Sequence, residues 1–229
     1  MTIFNFALKR GLRSPLSLIF NALVPVVIIL IRGLWVDGSL IGFGLVTMAM
    51  MTGAFLMAQG ILKDKEDGAI IRILTAPVTM VNYFLQNLLA CMVPLMGQVI
   101  LLSMIGFVNY EWTLTFTLAL ALCYTLFNMA SVSFAFAWHS FFKSSENSNN
   151  GFMAIVMFIA LLSGVMLPVY SLPGILEYVG AIFPAYWVSM SLRALKEYEL
   201  GVDEFMMYQM ILLLFSAAYL LYAGKRRLI

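Results

Sequence analysis

Residues able to carry out covalent or metal chemistry are few in this sequence and lie far apart. His139 is the only histidine among 229 residues, and Cys91 and Cys123 both fall within apolar runs. A metal centre needs several neighbouring ligands, covalent catalysis needs a nucleophile beside a base, and neither pattern occurs, nor does the G-x-x-x-x-G-K-[ST] loop that binds ATP. We therefore expect no catalytic residue, no metal and no cofactor bound by this chain. His139, beside Trp138, is expected to anchor a helix at a membrane interface.

The composition indicates an integral membrane protein. Apolar residues make up 63% of the chain and charged residues only 10%, and the mean hydropathy is +0.98. A soluble domain is typically about half apolar and about a quarter charged. The charged side chains of this sequence are too few to cover so much apolar surface in water.

Six apolar runs are long enough to cross a bilayer, which needs about 20 residues of helix. They are residues 16–36, 40–62, 83–108, 112–138, 152–170 and 205–222. Pro25 lies within the first run and predicts a kink, and residues 143–151, KSSENSNNG, predict a polar loop. The predicted fold is a single all-α integral membrane domain over residues 1–229 with six transmembrane helices.

Lysine and arginine collect on one side of these predicted spans. With both termini in the cytoplasm, ten of the thirteen basic residues lie inside: Lys9, Arg10, Arg13, Lys63, Lys65, Arg72, Lys143, Lys225, Arg226 and Arg227. Basic residues favour the cytoplasmic side of a membrane. We therefore predict a multi-pass protein of the cytoplasmic membrane with both termini in the cytoplasm.

The connection between the last two predicted spans is partly apolar. Pro173 and Pro184 interrupt residues 172–195, Glu177 would lie in hydrocarbon, and a seventh span would move the basic C-terminal residues outside. We expect a re-entrant or interfacial helical hairpin in the outer leaflet, packed against protein.

Residues 2–14 mix apolar and basic side chains before the first span. Apolar residues share one helical face, and Lys9, Arg10 and Arg13 lie on others. This pattern predicts an amphipathic interfacial helix on the inner leaflet. A positively charged flank that only sets the topology explains the same pattern.

A second short amphipathic helix is predicted in the cytoplasmic loop 63–79, KDKEDGAIIRILTAPVT. After Gly68, residues 69–74 combine an apolar surface with the charge of Arg72, and Pro77 ends the helix. An apolar surface of this kind inserts either into a partner protein or into the bilayer surface, and both placements remain open.

Two sets of residues resemble the motifs of type-2 ABC transporter permeases. Residues 65–68, KEDG, followed by Leu74 and Pro77, resemble the R-E-x-G-T…L…P signature after the second span of that family, with Lys65 in place of arginine and Ala69 in place of threonine. Residues 163–168, SGVMLP, and the segment after them resemble the fifth span and the outer re-entrant helices. The residues of this outer set are Pro168, Pro173, Pro184 and Arg193.

The resemblance implies the membrane permease of an ATP-driven exporter. Its partners would be cytoplasmic ABC ATPase subunits, which bind ATP and Mg, a second permease copy or paralogue, and the lipid bilayer, with no nucleic acid. The helix 68–74 would be a coupling helix in a cleft of the ATPase, Glu66 and Arg72 would make polar contacts at its rim, and Gly68 would allow close backbone approach. The implied coupling residues are Glu66, Gly68, Ile70, Ile71, Arg72, Leu74 and Pro77.

By the same resemblance, the second and fifth spans face the partner permease and form the substrate path. Candidates at helical spacing for this path or for the dimer seam are Met48, Met51, Phe55, Phe152, Ile155 and Ile159. Flexible methionine and aromatic faces suit apolar ligands, although such faces in a bilayer are also ordinary packing or lipid contacts. The small residue Gly53 would permit close helix approach at the seam.

The expected cargo is apolar or amphipathic: a drug, an antimicrobial peptide or a lipid-like molecule. A polysaccharide or lipid-linked glycan exporter of the same family is the nearest alternative. A membrane immunity or scaffold protein that transports nothing is an alternative of a different class. An ion-driven carrier is disfavoured because no chain of ionisable residues runs through the spans.

Overall fold

The computed structural model describes residues 2–35, 40–70, 79–164, 174–196 and 202–225. Helices dominate these ranges, and no β-strand occurs within them. The α-helices are α1 (Thr2–Arg13), α2 (Pro15–Leu18), α3 (Val24–Leu30), α4 (Ile41–Glu66), α5 (Met80–Asn109), α6 (Leu114–Ser140), α7 (Ser145–Leu162), α8 (Gly174–Gly180), α9 (Pro184–Lys196) and α10 (Val202–Lys225). The predicted all-α fold is confirmed for this part of the chain.

The described helices provide four to six candidate membrane spans. Helices α4, α5, α6 and α10 are each long and apolar enough to cross a bilayer. Two bent pairs reach that length only when joined: α1 with residues 15–30, bent by 80°, and α8 with α9, bent by 105°. A multi-pass membrane fold is therefore confirmed, and the number six stays a prediction.

The first predicted span, residues 16–36, is helical from Pro15 to Leu30 but irregular, and this helix ends before residue 36. A π-helical turn, Ile19–Leu23, joins α2 to α3, and a 3-10 turn, Arg32–Leu34, follows α3. Pro25 has no N–H to donate to the carbonyl one turn earlier, and a wider turn accommodates that loss. Two aromatic side chains bond carbonyls near the end of α3: Trp35 Nε1 donates to Ile28 O at 3.1 Å and Tyr110 OH to Ile29 O at 2.5 Å.

Helix α7 begins inside the segment that the sequence predicted as a polar loop. The helix starts at Ser145, not at residue 152, and the Ser144 side chain caps it by accepting from Asn147 N at 3.3 Å. Glu146 lies in the first turn, where the helix dipole favours an acidic residue. The loop prediction was therefore wrong from Ser145 onward.

Helices α4 and α6 form the centre of the bundle. In their apolar windows 78% and 61% of residues are buried, against 39% for α5 and 28% for α10. Helix α6 contacts α4, α5, α9 and α10, and its Leu120, Tyr124 and Phe127 are fully buried. Helices α5 and α10 expose many apolar side chains on their outer faces, as expected for helices that contact lipid or another membrane protein.

One face of α4 carries three glycines that the N-terminal segment covers. A Cβ on Gly42 would lie 2.9 Å from the carbonyl of Leu34, and one on Gly53 would collide with Asn21. A Cβ on Gly60 would collide with the Arg10 guanidinium. The sequence predicted Gly53 at a seam between permeases, but in the structure its surface is occupied by the same chain.

Candidate functional site

Asp64 lies in the last turns of α4 and joins three helices. Its Oδ1 is 2.6 Å from Arg10 Nη1 of α1, and its Oδ2 accepts a hydrogen bond from Tyr83 OH of α5 at 2.6 Å. Counted over all atoms of the residue, Asp64 is 9% exposed and Tyr83 is 2% exposed. Hydrogen bonds to an ionised group are about twice as strong as neutral ones. We call these three residues the Asp64 junction.

Gly60 makes the Asp64 junction sterically possible. It lies four residues before Asp64, on the same face of α4, and the Arg10 guanidinium crosses its surface. Arg10 also lies 5.6 Å from the centroid of the Phe6 ring on its own helix. A side chain at position 60 would occupy the space through which Arg10 reaches the carboxylate.

The end of α4 is also bonded to the start of α7. The Glu66 carboxylate accepts from both the backbone N–H and the hydroxyl of Ser145, the latter at 2.7 Å. Lys65 Nζ donates to the carbonyl of Phe142 at 3.3 Å. A carboxylate at a helix N-terminus is favoured by the exposed N–H groups and the helix dipole. Glu66, predicted at the rim of a partner contact, thus has its observed contacts within the chain.

A buried polar group lies one to two turns deeper. His139 Nδ1 is 2.9 Å from Ser148 Oγ, and Gln59 Nε2 donates to Asn149 Oδ1. The Phe55 ring lies 4.6 Å from the His139 ring. His139 is 1% exposed, so the prediction of an interfacial anchor was wrong: the polar first turns of α7 cover it.

The structure brings the predicted path residues Phe55 and Phe152 together, but inside one chain. Their rings stack with centroids 3.7 Å apart. Met51 and Ile159 are also buried, and Met48 is partly exposed. Ile155 is partly exposed as well. In this arrangement the exposed apolar face of α7 is formed by other residues: Met153, Met157, Phe158 and Leu161.

Gly68 ends the turn that follows α4. Its φ of +65° is a left-handed conformation that favours glycine, and its N–H donates to the carbonyl of Lys65 at 3.1 Å. A Cβ at Gly68 would meet nothing within 4 Å in this chain, so glycine is favoured here by backbone geometry, and the close approach to a partner stays a prediction. Ala69 and Ile70 are helical again, and Ile70 is 3% exposed, packed into the core. The other predicted coupling residues lie outside the described residues: Ile71, Arg72, Leu74 and Pro77.

At the opposite end, α8 and α9 form a tight corner. Pro184 starts α9, Tyr186 OH donates to Glu177 Oε1 at 3.0 Å, and a Cβ on Gly180 would collide with the carbonyl of Leu162. Arg193 lies partly buried on α9. Two further residues of the predicted outer set, Pro168 and Pro173, lie outside the described residues.

A protein-family model described as ABC-2 family transporter protein matches residues 17–225. The chain belongs to the ABC-2 transporter family. The resemblance inferred from the sequence motifs is thereby confirmed. No curated protein matches the chain. As an ABC-2 permease it is a multi-pass membrane protein of a family whose members associate with ABC ATPase subunits.

Sequence reasoning missed the contacts that organise the end of α4 in this ABC-2 permease. In the sequence, Asp64 falls within a charged loop and Tyr83 at the start of a predicted span, and neither position indicates a contact between them. The one signal available was the spacing of Gly60 and Asp64, a small residue one turn before an acidic one. That spacing does not identify Arg10, which lies 54 residues away in the sequence.

Proposed function

We propose that this ABC-2 permease is the membrane subunit of an exporter driven by ATP hydrolysis on a separate ABC ATPase. In this proposal it spans the cytoplasmic membrane six times, with both termini and the Glu66 end of α4 in the cytoplasm. The observation that carries the proposal is the set of polar contacts made by Asp64 and Glu66. They join α4 to α1, α5 and α7 immediately before the predicted coupling segment, residues 68–74.

Force on the coupling segment would reach α4 first, because Gly68 follows the last residue of α4 by two positions. If α4 is displaced, Arg10 and Tyr83 would move because they are bonded to Asp64. Ser145 would move because it is bonded to Glu66. Each hydrogen bond to a charged group contributes about 1.5–3 kcal/mol where it is buried, as at Asp64, and less at the exposed Glu66. The four helix ends would therefore move together, which is what converts a local pull into rearrangement of the bundle.

The orientation rests on charge. Arg10 contacts Asp64, so the basic end of α1 and the basic end of α4 lie together. Lys9 and Lys63 are exposed at this same end. Because positive residues favour the cytoplasmic side, we assign this end to the cytoplasm and the α8–α9 corner to the outer leaflet.

The cargo class is proposed from the outward face of α7. Met153, Met157 and Phe158 are 51%, 67% and 64% exposed. Flexible thioethers and an aromatic ring adapt to apolar ligands of different shapes. We propose that this face meets the partner permease or the cargo, and that the cargo is apolar or amphipathic, such as a drug, an antimicrobial peptide or a lipid-like molecule.

The direct test is reconstitution with an ABC ATPase encoded beside the permease gene. We expect co-purification, cargo-stimulated ATP hydrolysis in liposomes, and loss of that stimulation when Ile71→Pro or Arg72→Glu is introduced into the coupling segment. An unchanged stimulation in both variants would contradict the coupling assignment. Labelling of a cysteine at position 71 by an impermeant reagent added outside intact cells would contradict the orientation.

A further inference from the structure

A cavity of about 480 Å³ lies between the corner of α1 and α2 and the last turns of α4. The cavity lies next to the Asp64 junction, since Arg10 belongs to that junction and also lines the cavity. The proposed transmission of force makes no use of this space.

The wall of this cavity is strongly basic. Lys9, Arg10, Arg13 and Lys63 line it, and none of the other described residues that line it is acidic. The charge of Arg10 is compensated by Asp64, which lies outside the lining. Lys9, Arg13 and Lys63 are exposed, so their combined positive charge favours an anionic occupant.

The cavity also has an apolar part. Phe6, Leu56 and Met57 line it, and of these Met57 is buried and Leu56 partly buried. Leu56 and Lys63 are separated by two turns of α4, or about 10 Å along the helix axis at about 1.5 Å per residue. An occupant that satisfies both parts carries an anionic group at one end and hydrocarbon at the other. A free inorganic anion would leave the apolar part unused.

We propose that this cavity binds one anionic phospholipid of the adjacent leaflet. Its phosphate lies among Lys9, Arg13 and Lys63, and the first part of an acyl chain lies against Leu56 and Met57. Basic groups near a membrane surface attract anionic lipids by about 1 kcal/mol each. The bound lipid fills the space between α1 and α4 and supports the position of Arg10 over Gly60.

The leaflet follows from the orientation proposed above, whereas the site itself depends on neither that orientation nor the ATPase. Lipid binding is therefore measured on the full-length permease alone, by native mass spectrometry after addition of phosphatidylglycerol or phosphatidylcholine. We expect one phosphatidylglycerol retained per chain and no comparable retention of phosphatidylcholine. If phosphatidylglycerol is not retained, the lipid proposal is wrong and the exporter proposal still stands.

The decisive variant is the double change Lys9→Gln with Lys63→Gln. At about fivefold for each lysine, it is expected to weaken phosphatidylglycerol binding by about 25-fold. The matched control removes two exposed lysines elsewhere, Lys143→Gln with Lys225→Gln, and is expected to bind like the wild type. The charge-preserving pair Lys9→Arg with Lys63→Arg is expected to retain the lipid, which separates loss of charge from loss of folding.

Three results would overturn the proposal. One is equal weakening in the control pair, which would indicate general attraction to a basic protein. The second is displacement of the lipid by inorganic phosphate, which would indicate a free anion site. The third is displacement of the lipid by glycerophosphoglycerol, its head group without acyl chains, which would remove the role of Leu56 and Met57.

Discussion

Replacing Asp64 with asparagine tests the Asp64 junction. The change keeps the size of the side chain and an oxygen that can accept from Tyr83, but it removes the charge that attracts Arg10, 2.6 Å away. The two side chains of the ion pair are 25% and 13% exposed, so water screens the pair in part. We therefore expect a loss near the lower end of the range for charged hydrogen bonds, about 2 kcal/mol.

A loss of about 2 kcal/mol corresponds to about a 30-fold change in an equilibrium constant. Because α1 is held to α4 through Arg10, the expected result is about 30-fold faster amide hydrogen exchange in α1, measured by mass spectrometry on the purified permease. Exchange in the centre of α6, which the junction does not touch, is expected to stay as in the wild type.

The matched control is Asp67→Asn, which removes the same charge three residues away at an exposed position. Arg10→Gln and the double variant complete a thermodynamic cycle, and we expect the double variant to differ little from either single one. Equal exchange in the two aspartate variants, or full additivity in the cycle, would refute the argument that this pair fastens α1 to α4.

Three further predictions concern other contacts. Gly60→Ala should lower the free energy of unfolding by about 1–3 kcal/mol, because the added Cβ collides with the Arg10 guanidinium. The control Gly97→Ala, with nothing within 4 Å of the added Cβ, should raise it by up to about 1 kcal/mol. Equal shifts of the melting temperature in the two variants would contradict this. Glu66→Gln should destabilise by about 0.5–1 kcal/mol through its loss of charge at the α7 N-terminus, and an effect that persists in high salt would contradict the electrostatic account. Phe55→Ala should cost about 3–5 kcal/mol in a thermal unfolding assay, whereas Phe158→Ala should leave stability nearly unchanged and alter cargo-stimulated ATP hydrolysis in the reconstituted complex.

Much of the helical plan could be predicted because bilayer thickness imposes a minimum apolar length. The runs 83–108 and 112–138 correspond to Met80–Asn109 and Leu114–Ser140 in the structure. Helix α4 extends past its predicted end at residue 62 to Glu66, since a helix does not stop where the hydrocarbon stops. The apolar run marks only the part of the helix that needs lipid or protein around it.

The start of α7 could not be predicted from the local pattern. Residues 145–151 are polar, and polarity usually indicates a loop, but these residues pack against His139 and the end of α4. Ser145, Ser148 and Asn149 have side-chain hydrogen-bond partners on α4 or α6, whereas Glu146, Asn147 and Asn150 are exposed. The information that makes this segment helical lies partly on α4 and α6, far away in the sequence.

The amino-acid sequence by itself determined the membrane environment, the family motifs and the absence of a phosphate-binding loop, because these depend on composition and on short spacings. Only the tertiary structure decided that Phe55 packs on Phe152 inside one chain and that Asp64 holds Arg10 and Tyr83. Contacts between residues 19 or more positions apart arise here when helices pack, and their geometry depends on where a glycine such as Gly60 lets two backbones approach. Helical periodicity assigns a residue to a face of its helix, and packing determines which neighbour that face meets.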